Sequence, residues 1–100
     1  EPKLLPLEIK VISGEGGEPI DNASVYVKFK EGRWYWKDKR REWHAKTNRE
    51  GVVRFPAVPP GKLLIQVLAE GWKTFGEYYQ VSETEKKVIE IKLKRPRRWY

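Results

Sequence analysis

Apolar and polar residues alternate with a period of two through most of the chain, and that pattern dictates a fold built from sheets. Leu5, Leu7, Ile9 and Val11 alternate with Pro6, Glu8 and Lys10. In an extended backbone all four apolar side chains then project from one face. Ala23, Val25, Val27 and Phe29 repeat the pattern, as do Val53 and Phe55, then Leu63, Ile65, Val67 and Ala69, and finally Ile89, Ile91 and Leu93. Leu64 and Leu68 make the second face of the Leu63 segment apolar as well, which predicts a central strand. Thr74 to Val81 forms a further extended run. The stretch from Lys37 to Lys46 is rich in helix formers, but Trp34, Trp36, Trp43 and Ala45 keep strand-like spacing. A long Trp-rich hairpin is expected there.

Turn residues punctuate these runs. Ser13 to Pro19 carries three glycines and a proline, Pro59-Pro60-Gly61 makes a stiff turn, Gly71-Trp72 ends a strand, and Ser82-Glu83-Thr84-Glu85 turns again. Glycine supplies positive φ, and proline removes a ladder donor. About seven short strands spaced in this way predict an all-β, seven-stranded antiparallel Greek-key β-sandwich. With 100 residues, a single domain is expected over 1–100. Its core runs from about 5 to 94, with residues 1–4 as a leader and 95–100 as a basic tail. No apolar stretch approaches the roughly 20 residues that span a bilayer as a helix.

The chain has no Cys, which removes disulfides, thiolate metal sites and cysteine nucleophiles. It also has no Met, even at position 1, so Glu1 is expected to follow a processed leader or an imposed boundary. Secretion or residence in the cell envelope is the expectation. The abundance of Lys, Arg and Glu would suit a thermophile. Asn22-Ala23-Ser24 is a glycosylation triplet of a kind that chance often produces.

Four fragments resemble one family in order and spacing. Gly17-Glu18-Pro19-Ile20-Asp21-Asn22-Ala23-Ser24-Val25-Tyr26-Val27 resembles the opening of carboxypeptidase regulatory-like domains. Thr47 to Phe55, Val58-Pro59-Pro60-Gly61 with Leu63, Ile65 and Val67, and Glu70-Gly71-Trp72 resemble the later parts of that pattern. The resemblance runs from Leu7 to Leu93 and implies the prealbumin-like, or transthyretin-like, sandwich. It makes Ala23, Gly51, Gly61 and Gly71 fold residues. Such domains recur beside peptidases, in adhesin stalks and as envelope proteins, so the family implies little about activity. Related adhesin repeats close a Lys–Asn isopeptide bond. Lys10 could supply the amine here, but Val88 to Lys94 offers no Asn or Asp, and no such bond is expected.

Catalysis is poorly served. His44 is the only histidine and the aspartates are Asp21 and Asp38 alone, whereas a zinc site wants three or four ligands. No nucleophile motif surrounds Ser13, Ser24 or Ser82, so neither enzyme activity nor a cofactor or metal is expected. Two segments stand out instead. Trp34, Tyr35, Trp36, Arg40, Arg41, Trp43 and His44 interleave rings with cations, and from Arg33 to Arg49 seven Lys and Arg face two acids. Such a surface could stack on sugars or pair with anions, or its tryptophans could simply cover the edge of the sandwich. The tail adds five cations from Lys92 to Arg98, then Trp99 and Tyr100.

A net charge of +7 favours acidic partners such as polysaccharide or other polyanion. Nucleic acid is disfavoured, because no binding signature for it occurs. The leading expectation is a non-catalytic surface module that self-associates or joins neighbouring domains of the same surface protein. Leu4, Leu5, Trp99 and Tyr100 are its candidate assembly contacts. The alternative is a carbohydrate- or polyanion-binding module using the hairpin.

Overall fold

A computed structural model of the chain describes residues 4–31, 42–82 and 87–96. Seven strands follow one another: β1 (Leu5–Ser13), β2 (Ser24–Glu31), β3 (Glu42–Lys46), β4 (Val52–Val58), β5 (Gly61–Leu68), β6 (Phe75–Val81) and β7 (Lys87–Leu93). They build two sheets, one ordered β4-β1-β7 and the other β3-β2-β5-β6. β5 lies between β2 and β6, the central place its two apolar faces predict.

One sheet pair corrects the antiparallel expectation. β1 pairs parallel with β7, with Ile9 opposite Ile89 and Val11 opposite Ile91. The other pairings are antiparallel. Alternation looks the same in either sense of pairing, so the sequence pattern does not distinguish them.

The inward residues of both sheets meet in one core. Leu7, Ile9, Val25, Val27, Ile65, Val67 and Ile91 are all but fully buried, and Phe55 lies among them. Their polar neighbours in sequence face out. At one pole the turns are drawn together by hydrogen bonds. The Thr47 hydroxyl donates to the Ile20 carbonyl at 2.7 Å and accepts from the Ala23 N–H at 2.9 Å. Gly51 has φ 76°, and a Cβ there would stand 2.5 Å from the Val11 carbonyl oxygen, so only glycine fits without a shift. The Val11 N–H donates to Gly51 O at 2.7 Å, tying this turn to β1.

The strands alternate in direction, odd ones running towards this pole and even ones away from it. Hydrogen bonds join the β1–β2, β3–β4 and β5–β6 turns to one another or to the end of β7 here. The chain therefore enters β1 at one pole and leaves β7 at the other. β1 alone spans roughly 26 Å at 3.3 Å per residue.

Candidate functional site

Of the candidate hairpin residues, Trp34, Tyr35, Trp36, Arg40 and Arg41 lie outside the described residues, as do Trp99 and Tyr100 of the tail. Trp43 and His44 fall on β3 and point opposite ways. Trp43 is half-buried and packs against the core, with Ala45 two residues on. The inward parity of residue 43 makes the ring part of the sandwich's cover, the alternative weighed for the hairpin tryptophans, and leaves part of it at the surface. His44 faces solvent opposite Tyr26 of β2. The two rings stack with centroids 4.3 Å apart and planes 8° from parallel.

That stack sits on the outer face of the four-stranded sheet. Tyr26 also neighbours Gln66 of β5, and Gln66 neighbours Gly76 of β6. In the next row Glu42, Lys28, Leu64 and Tyr78 stand side by side across the four strands. Lys62 places its ammonium 5.0 Å from the Tyr78 ring centroid. Tyr78 is 52% exposed and Leu68 46%. Among the residues whose side chains are described, Lys28, Lys46 and Lys62 share this face with Glu42, which sets cations beside flat rings. Sequence reasoning missed Tyr26, Gln66, Leu68 and Tyr78. The available signal was parity: each is an outward residue beside buried neighbours.

A second site opens at the pole where β7 ends. Ser13, Glu15, Gly16, Glu18, Pro19, Ile20, Trp72 and Arg95 line a cleft of about 470 Å³. The Arg95 guanidinium lies 4.0 Å over the Trp72 ring, a cation–π contact. It also donates to the Gly71 carbonyl at 3.2 Å, which fixes its plane. The Ser13 hydroxyl is held within its own loop, accepting from the Glu15 N–H at 3.2 Å. Among the described residues no three His, Cys, Asp or Glu side chains gather as metal ligands would.

The leader residues separate. Leu5 is buried in the chain's own core at 5% exposure, which corrects its expected role as an assembly contact, because residue 5 already shares the inward parity of Leu7 and Ile9. Leu4 remains 44% exposed. Lys10 is exposed between Val52 of β4 and Glu90 of β7. On β6 the Tyr79 phenol is pushed above its usual range, first by partial burial and then by the Glu77 carboxylate.

Residues 7–94 match the carboxypeptidase regulatory-like domain. The chain belongs to that family. Among curated proteins no match is found. Solved structures share the fold at low identity. The major pilin subunit of Bacillus cereus superposes with a TM-score of 0.71 at 15% identity, over 95% of this chain and 31% of that one. The minor pilin of Streptococcus agalactiae gives 0.72 at 13%, over 99% and 48%. Catechol 1,2-dioxygenase of Acinetobacter radioresistens gives 0.73 at 13%, over 97% and 53%. The chain thus spans about half or less of the length of these proteins. Pilins and an enzyme share the sandwich, so the fold does not decide activity.

Proposed function

We propose that this domain is a non-catalytic structural module of a cell-envelope protein, one that carries load between neighbouring domains or subunits. The observation that carries this reading is the parallel β1–β7 pair. It sets the incoming and outgoing chain at opposite poles, the geometry a string of domains needs. Pilins that share the fold are surface subunits, and the similar region is a fraction of each. Both support an assembly role and an extracellular setting.

A pull through the two ends loads the whole β1–β7 ladder in shear, so its hydrogen bonds must fail together. The chain has no Cys of its own, which makes introduced thiols unique handles. With handles at positions 4 and 94, single-molecule pulling should need a force several-fold above that with handles at 4 and 87, where the ladder unzips one bond at a time. Equal forces in the two geometries would sink the load-bearing reading.

The outer sheet face favours a second reading, recognition of an anionic polysaccharide. Sugar faces stack on rings, and the lysines around Tyr26, His44 and Tyr78 suit carboxylate or sulfate groups. Retention on an immobilised acidic polysaccharide should fall at least tenfold in a Tyr26→Ala, His44→Ala double variant. Unchanged retention at equal fold stability removes this face from consideration.

A further inference from the structure

The sandwich sets three strands over four, and the mismatch falls on one flank. β3 faces β4 on one side, so β7 lies on the side of β6, where Lys73 N–H donates to Lys94 O at 2.7 Å. Of the inward residues of β6, Val81 is buried but the other three are only partly covered. Phe75 and Tyr79 are half-buried, and Glu77 between them is exposed although it points to the interior side.

Backbone polarity tells which groups of β7 are free. Within a strand the N–H and C=O of one residue point to the same edge. Leu93 O accepts from Gly14 N–H of the β1 end at 2.8 Å, so Ile89, Ile91 and Leu93 face β1. Lys94 O points the other way, to Lys73. Val88, Glu90 and Lys92 share that direction, and among the described residues no strand pairs with them. The two edges of the opposite flank are guarded, and β6, the fourth edge, carries the exposed Glu77. β4 carries Pro56 and a break in register between Leu5 and Leu7 of its partner, and β3 has five residues.

We infer that β7 is an acceptor edge for an extended strand of a partner protein whose alternate residues are apolar, cationic and apolar. Such a strand would pair with the free backbone of Val88, Glu90 and Lys92. Its inward side chains would then lie over Phe75, Glu77 and Tyr79, spaced at the same period of two. The cation meets Glu77, and the apolar residues cover the two rings. The same exposed Glu77 could instead serve only to keep β6 from pairing, and the test separates the two roles. The inference names a contact for the assembly role proposed above and rests on it.

The probe is a synthetic peptide, Thr-Val-Thr-Lys-Thr-Val-Thr, titrated into the isotope-labelled chain by NMR. Amide shifts should concentrate in residues 88–92 and 75–79. Methylating one alternate set of peptide amide nitrogens should abolish binding, and methylating the other set should leave it intact. Glu77→Lys should weaken binding at least tenfold, and a peptide with Glu in place of its Lys should recover it on that variant. Binding that tolerates both methylated sets overturns strand addition. Binding only after deletion of residues 97–100 assigns the edge to the chain's own tail and overturns the partner strand. No peptide binding, with a Glu77→Val protein that self-associates, leaves Glu77 as a guard and overturns the inference. The pulling experiment is independent of this edge. If it succeeds while the peptides fail, the β7 contact falls and the load-bearing reading stands.

Discussion

Where β3 runs into β4, Thr47 closes the flank with two buried hydrogen bonds, whereas where β7 faces β6 the inward side chains of Phe75, Glu77 and Tyr79 stay partly in water. Both flanks belong to one core, yet they solve the edge differently. The first ties its turn to β1 and β2 through Thr47 and Gly51, and its inward residues, Trp43 and Ala45, are half-buried but apolar. The second keeps apolar rings and a carboxylate within reach of solvent. The carboxylate on the interior side of β6 is the group that a partner strand would meet.

That comparison predicts unequal costs. Ile65 lies at the centre, fully buried on β5 and common to both flanks. Ile65→Ala should lower stability by about 2–5 kcal/mol through lost transfer energy plus a cavity, measured by denaturant titration. Thr47→Val tests the tied turn of the first flank. It keeps the shape but orphans the Ile20 carbonyl and the Ala23 N–H, and a buried orphan costs about 1–3 kcal/mol. A Thr47→Val protein as stable as the parent would show that water replaces the hydroxyl, and the contrast between flanks would weaken.

The sequence allowed one flank to be read better than the other, for a physical reason. Strand positions follow from alternation, because a half-buried strand needs it, and the buried set around Val25, Ile65 and Ile91 was legible on that ground. Trp43 could have been assigned inward from its parity with Ala45. The Tyr26–His44 stack could not, because it depends on the register between β2 and β3 across ten intervening residues. The half-covered rings of β6 were hidden for a similar reason. They arise from which strands share a sheet, and period two is blind to that choice. The parallel sense of β1 and β7 was hidden likewise. The alternating runs were unambiguous, but the three-over-four division and its open side emerge only from tertiary pairing.

On the open flank the expected effects are smaller. Phe75 is half-buried, so Phe75→Ala should cost only about 1 kcal/mol, roughly half of what burying a whole phenylalanine is worth. The same truncation at Phe29, 6% exposed on the inner face of β2, should cost about 3–5 kcal/mol. Calorimetry or urea titration of the two variants sharpens the comparison directly. Equal losses would mean that Phe75 is enclosed in solution and that the flank is not open.

The smallest effect is also the most specific to that flank, because it reads the environment of one hydroxyl. Burial, and then the Glu77 carboxylate, raise the Tyr79 phenol above its ordinary value of 10.0. The folded state therefore prefers the neutral phenol, while the unfolded chain releases the proton at the ordinary pKa. Stability from this group is fully present below about pH 10 and is lost as pH rises through the folded value. Glu77→Gln removes the second cause and keeps the first, so the phenol should titrate at lower pH in the variant but still above the ordinary value. Ultraviolet difference titration against a Tyr79→Phe protein isolates the signal from the other tyrosines. A strand bound over the seam would deepen the burial and shift the titration upward again, unless its cation lies close enough to Glu77 to offset that carboxylate. If Tyr79 titrates at its ordinary value both alone and with the Lys-centred peptide, the ring is in water and the seam is no floor for a partner.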